Sequence, residues 1–244
     1  MAPDPWIFPL AYGQCNELIL VSKADLKASE TGAAMQRNRM WELVAEQRLL
    51  LAGLLEGLDE EQWNADSLCP GWRVRDVAAH AIAPATTGLG TVLREMIRTR
   101  GDFNSMVFFD GRRRGDAPVE QIAADYRRFA TSQRRAPGAV GATPLMDIMV
   151  HARDISIALD ADYPSMPVAG AQAGAELVWR LPFPFYARRK LAGYRLQASD
   201  ASWSAGEGAL VEGPMEALLL LLTGRNAWLG RLDGPGAERL RLES

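Results

Sequence analysis

The segment from Leu145 to Asp160 restricts the fold more than any other part of the chain. Placed on a helix at ~100° per residue, it carries polar residues on two sides rather than one. Arg153, Ser156 and Asp160 fall together and form the expected solvent face. Asp147, His151 and Asp154 fall within about 60° of one another, nearly opposite, by the same arithmetic. Ile148, Val150, Ile155, Ile157 and Leu159 stand around them, so this second stripe points into apolar surroundings. A carboxylate or imidazole placed there must be hydrogen-bonded, ion-paired or bound to a metal. The chain therefore needs other helices around this one, with polar partners at the same level.

Those helices can be read from spacing. Met40, Leu43, Val44, Leu50, Leu51, Leu54 and Leu55 recur at three- and four-residue intervals and mark one buried face. Gly57 and the acidic Asp59-Glu60-Glu61 end that first helix. A second follows Pro70-Gly71-Trp72 and runs through Val74, Val77, Ala78 and Ala81. Pro84 leaves the His80 carbonyl without its helical partner, which predicts a kink or break, and the pattern resumes from Leu89 to Ile97. Arg112-Arg113-Arg114 reads as a solvated loop, and a third helix spans about Val119 to Arg134. The fourth opens at Thr143-Pro144, where threonine can cap and proline suits the first helical position, and runs to about Leu159. Helices of this length joined by loops predict a four-helix bundle.

Pro164, Pro167, Pro182 and Pro184 then punctuate the chain and suggest a domain junction. Beyond it, Tyr194 to Ala198 alternates apolar and polar, as a half-buried strand does. Gly206, Gly208, Gly213 and Pro214 signal turns, Pro214 to Leu222 an apolar helix, and Ala237 to Leu242 a last strand. The expected fold class is α+β. A helix bundle occupies residues 35–165, a small α+β domain residues 166–244, and residues 1–34 form an N-terminal extension without a motif.

Composition narrows the function. A net charge of −3 and a pI near 5.5 supply no basic surplus for nucleic acid. The longest strongly apolar run, Ala217 to Leu222, is far short of the ~20 residues of a membrane helix. Cys15 and Cys69 cannot build a disulfide framework, and the first residues lack the basic start of a signal peptide. A cytoplasmic protein, monomer or homodimer, acting on a small molecule is expected. Cys69 has no basic residue or second cysteine near it in sequence, and reads as an incidental thiol rather than a nucleophile.

The chain has only 2 histidines, so any chemistry that needs imidazole must use His80 or His151. Asp147 and His151 lie one helical turn apart on the same face and can reach one metal ion. Asp154, a further turn on, can hold an imidazole nitrogen from behind. A bundle can bring His80 opposite His151. Two imidazoles and a carboxylate would leave the fourth position of a tetrahedral zinc open, as catalytic sites require. The same residues also suit a satisfied pair of core histidines, or a His151–Asp154 hydrogen bond with no metal.

Three stretches then carry a resemblance. Leu68-Cys69-Pro70-Gly71-Trp72-Arg73-Val74-Arg75-Asp76-Val77-Ala78-Ala79-His80 is similar to the signature of the mycothiol-dependent maleylpyruvate isomerase family, and so is Asp147 to Ile155. The tail, with Gly193-Tyr194-Arg195-Leu196, Trp203, the apolar helix and Thr223-Gly224-Arg225, resembles that family's C-terminal domain. The resemblance implies a DinB-like bundle that binds a divalent metal, usually zinc, followed by a small sterol-carrier-like domain. It implies His80, Asp147 and His151 as the ligands, and Arg225 as the arginine that helps hold an acidic substrate. It implies mycothiol as thiol cosubstrate, in a family typical of actinobacteria. The family's isomerases carry glutamate where this chain has Asp147, one methylene shorter, and threonine or serine where it has Arg73.

The expected activity is that of a mycothiol-dependent metalloenzyme acting on a small, anionic electrophile. The metal lowers the thiol pKa, and the thiolate attacks the substrate. An isomerase then releases the thiol, and a transferase leaves it attached. The rival readings are a non-catalytic small-molecule or lipid-binding protein, and a metal-dependent hydrolase that uses water in place of the thiol.

Overall fold

The structure is a computed structural model that describes residues 23–86, 97 and 102–243. Most of the expected extension, and the expected continuation from Leu89 to Ile97, lie outside those residues apart from Ile97 itself. Contacts divide the chain into Met1–Arg37 and Asn38–Ser244.

The helices of the second unit follow the apolar spacing. Helix α1 (Lys23–Glu56) buries Val44, Leu51 and Leu55, and α2 (Glu60–Asn64) is closed by a capping box between Asp59 and Gln62. Helix α3 (Val74–Thr86) is the centre of the bundle, packed against α4 (Phe103–Gly115), α5 (Val119–Arg128) and α6 (Thr143–Ser156). It stays helical through Pro84 to Thr86 rather than breaking. Helix α5 ends at Arg128, short of the expected Arg134. There the buried Arg48 guanidinium donates to the carbonyls of Phe129, Ala130 and Ser132. Pro144 stands in the first turn of α6 as expected, but Thr143 caps nothing and donates its hydroxyl to the Val140 carbonyl.

Arg112-Arg113-Arg114 is not a loop. It forms the last turn of α4, where cations are favoured by the helix dipole, and Asp110 pairs with Arg113 and Arg114. Arg73 replaces a missing hydroxyl cap in another way. Its backbone N–H donates to Asp76 Oδ2 at 2.9 Å, and its guanidinium pairs with the same fully buried carboxylate.

Helix α7 (Val168–Arg180) leads into α8 (Ala187–Lys190) and a small sheet. Strand β1 (Tyr194–Ala198) lies between β2 (Ser204–Gly206), antiparallel to it, and β3 (Ala209–Gly213), parallel to it. Tyr194, Leu196 and Ala198 are buried, as the alternation predicted. Helix α9 (Met215–Leu222) is buried along its whole length and packs on α7, which packs on α6. The core is therefore continuous from Trp41 to Ala237. The expected last strand is instead helix α10 (Pro235–Glu243), preceded by a short 3-10 turn at Leu229–Arg231. Ala237 and the half-buried Leu240, three residues apart, fit a helix laid on β3, whereas Leu242 is 88% exposed. The two-residue spacing of Leu240 and Leu242 was a misleading sign of a strand.

One glycine sets how closely α4 approaches the loop before α3. A Cβ on Gly111 would lie 2.5 Å from Cζ2 and 2.8 Å from Cη2 of Trp72. The indole is 5% exposed and wedged, so it cannot swing away. Gly111→Ala is expected to cost about 1–3 kcal/mol by overpacking, read by urea denaturation. An unchanged midpoint would show that α4 can shift without cost.

Candidate metal centre

Helices α3 and α6 bring His80 and His151 together. Their rings stand 5.1 Å apart, edge to face. Asp147 is one turn before His151 on α6, with Oδ1 at 3.6 Å from His151 Nε2. One nitrogen or oxygen from each of His80, Asp147 and His151 lies within 4.8 Å of the other two. The ligands of a tetrahedral zinc stand roughly 3.4 Å apart, as its bond lengths require. The donor set and its spacing thus fit a divalent cation after a small contraction. Asp147, though its side chain is short, stands within reach of both imidazoles.

The two imidazoles differ in protonation. His80 keeps some contact with solvent, yet burial, followed by the neighbouring His151, lowers its pKa to about 4, so its ring is neutral. Burial alone would lower the His151 pKa too. The hydrogen bond to Asp154 outweighs it, and with Cys69 and the Asp147 charge raises the value to about 10.

Asp154 is the hub behind His151. It is completely buried, and its Oδ2 lies 2.9 Å from His151 Nδ1. That contact fixes the orientation of the ring, leaving Nε2 on the side of Asp147. Arg225 grips the same carboxylate as a fork, with Nε 3.0 Å from Oδ1 and Nη2 2.7 Å from Oδ2. Burial would raise the Asp154 pKa, but these partners hold it well below the usual carboxylate range. Arg225 reaches it because α9 ends as its sequence suggests. Gly224 has φ +84°, and the Gly224 and Arg225 N–H groups bond back to Leu221 and Leu220 in a Schellman motif. The remaining guanidinium nitrogen, Nη1, donates to the Thr223 carbonyl, so every nitrogen of Arg225 is engaged inside the protein.

Three residues behave unlike their sequence reading. Arg153 and Ser156, assigned to the solvent face of α6, are 5% and 1% exposed. The tail covers that face. Arg153 pairs with Glu216 of α9 and donates to the carbonyls of Tyr163 and Pro164. Cys69 is not isolated either. Its Sγ lies 3.1 Å from Asp154 Oδ2, 4.0 Å from His151 Nδ1 and 3.7 Å from Arg225 Nη2. No local signal around Cys69 announced this, because each of those partners comes from a distant part of the chain.

A helix bundle in which two histidines and a carboxylate converge is the class that the fold and site define. Residues 44–146, from α1 to the first turn of α6, match the model of the mycothiol maleylpyruvate isomerase N-terminal domain. The matched stretch includes His80 and stops one residue before Asp147. Among solved structures, the chain is similar to a mycothiol-dependent maleylpyruvate isomerase, with 15% identity and a TM-score of 0.46, over 82% of this chain and 93% of that one. A point mutant of that isomerase matches at 14% identity with the same TM-score and coverage. No curated protein matches the chain. Among the described residues, no helix is long and apolar enough to cross a membrane.

Proposed function

We propose that this protein is a mycothiol-dependent metalloenzyme, an isomerase or S-transferase, that acts on a small anionic electrophile. The observation that carries the reading is the convergence of His80, Asp147 and His151 within 4.8 Å, next to a domain of the mycothiol maleylpyruvate isomerase family. In this reading residues 35–165 hold a divalent cation, zinc by its donor set, and residues 166–244 close the site. A cation held there supplies the positive charge that lets a thiol ionise at neutral pH.

The chain's own residues do the rest. His80 offers a neutral ring without first losing a proton. Asp147 brings negative charge. Asp154 holds His151 Nδ1–H and so points Nε2 at the site. Arg225 acts as a positioning residue, locking Asp154 between two parallel hydrogen bonds. An arginine is needed for that, since lysine cannot offer the same fork.

Metal analysis is the first test. Protein purified without chelator should hold about one divalent ion per chain, as a three-ligand site implies, and His151→Ala should release it. Asp147→Ala should weaken binding at least tenfold, and Asp147→Glu should retain it. Turnover is the second test. Maleylpyruvate with mycothiol should be converted without net loss of thiol by an isomerase, whereas a transferase consumes one thiol per turnover on an alkylating acceptor. Metal-loaded protein with no thiol-dependent turnover on either substrate would overturn the enzyme reading.

A further inference from the structure

The segment Ser67-Leu68-Cys69-Pro70-Gly71-Trp72 supplies none of the three proposed ligands, although Cys69 also stands within 4.8 Å of donor atoms of His151 and Asp154, and it touches the surroundings of both candidate histidines. It is held closed on itself. Ser67 N–H and Oγ–H both donate to the Trp72 carbonyl, at 3.0 and 2.8 Å, and Trp72 N–H donates to the Cys69 carbonyl at 3.0 Å. Cys69 N–H donates to Ser67 Oγ at 3.1 Å. The loop is also sewn to the helix that carries His151, because Leu68 N–H donates to the Asp154 backbone carbonyl at 3.1 Å.

Two side chains leave this closed loop toward the centre. The Cys69 thiol reaches Asp154 Oδ2 at 3.1 Å, beside the His151 and Arg225 donors on the same oxygen. The Trp72 indole packs against the His80 ring, with centroids 4.9 Å apart and planes tilted by 57°. His151 is thus oriented by a hydrogen-bonded carboxylate, the usual device behind a metal-binding imidazole. His80 has no such carboxylate behind it among the described residues. Its orientation comes from the rings that border it, Trp72 on one side and His151 on the other.

We infer that this loop is the element that positions both metal ligands, Cys69 acting on His151 through Asp154 and Trp72 acting on His80 by ring packing. The inference rests on the proposed metal site and adds to it a role for residues that touch no metal. The cysteine serves as a hydrogen-bond donor to a buried carboxylate and undergoes no covalent change. The tryptophan serves as a wall.

The test is the dissociation constant for Zn²⁺ alone, by competition with a chromophoric chelator, measured beside the unfolding midpoint of the metal-free proteins. Cys69→Ala removes the donor and should weaken zinc binding about tenfold, the lower end of what the loss of an outer partner of a metal ligand costs. Cys69→Ser keeps an O–H donor and should restore most of that loss. Trp72→Leu should weaken binding by a similar factor, and Trp72→Phe, which keeps an aromatic wall, should recover it. The double variant Cys69→Ala/Trp72→Leu should bind zinc more weakly than either single variant. Rescue by serine and by phenylalanine is the signature that a merely structural role would not give, since neither restores the original volume.

Wild-type affinity in Cys69→Ala, or a loss that serine fails to restore, overturns the inference while leaving the metal site standing. If Trp72→Leu does not fold, the Cys69 pair decides alone. Wild-type protein that binds no zinc overturns the metal reading and this inference with it, and that result appears before any variant is made.

Discussion

Asp154→Ala is expected to be the most damaging single change at the site, costing about 3–5 kcal/mol of folding free energy, because it strands a partly buried arginine. Arg225 has a side chain only 16% exposed, and two of its nitrogens point at the lost carboxylate. His151 Nδ1 and the Cys69 thiol lose their acceptor at the same moment. Zinc affinity should fall about 10- to 100-fold, since the ring that offers Nε2 is no longer held. Urea denaturation reads the first effect and chelator competition the second. Arg225→Met added to Asp154→Ala should cost less than the sum of the two single changes, because it removes the stranded charge. A loss under about 1 kcal/mol with unchanged zinc affinity would mean that His151 is oriented by its packing alone.

The second large effect belongs to the far face of α6. Glu216→Ala leaves Arg153 without its carboxylate in a place where the two side chains are 6% and 8% exposed. The guanidinium would remain between the Trp228 ring, 4.9 Å away, and the Tyr163 ring, 5.4 Å away. Met166 N–H also loses the oxygen it donates to. Breaking a buried pair from one side costs about 3–5 kcal/mol, which for a chain of this size lowers the melting temperature by roughly 10 °C. Glu216→Gln keeps an acceptor for Met166 and should fall between. If Glu216→Ala melts within about 2 °C of wild type, the apolar packing of α9 on α7 holds the tail without the ion pair.

Metal content should respond differently to the two changes. Asp154 lies behind a candidate ligand, whereas Glu216 bonds to the opposite side of the same helix. Glu216→Ala should therefore lower the melting temperature while leaving zinc affinity nearly intact, and Asp154→Ala should lower both. Equal losses of affinity would mean that the tail, and not the hub carboxylate alone, sets where α6 stands.

Much of the centre was legible because its residues obey local periodicity. Asp147, His151 and Asp154 share a face through spacings of three and four, and those spacings need only a helix to take effect. The apolar stripes of α1, α3 and α6 were visible for the same reason. Gly224 marked the end of α9 and the departure of Arg225, since a glycine after a long apolar helix is the residue that tolerates a positive φ.

The remainder depended on contacts that no short window contains. Arg153 looked like a solvent residue because helical phase tells which residues share a face, and is silent about what another part of the chain lays over it. Its partner Glu216 is 63 residues away. Arg225 meets Asp154 across 71 residues, and Cys69 meets it across 85. The same limit misread the end of the chain. Leu240 and Leu242 suit a strand by spacing, but a helix that sets Ala237 and Leu240 on β3 buries its apolar side better than a strand ending in an exposed leucine. By itself the sequence determined which side chains each helix could present together. The tertiary structure decided which of those faces met water, because burial is a property of two surfaces and only one of them is written in any local stretch.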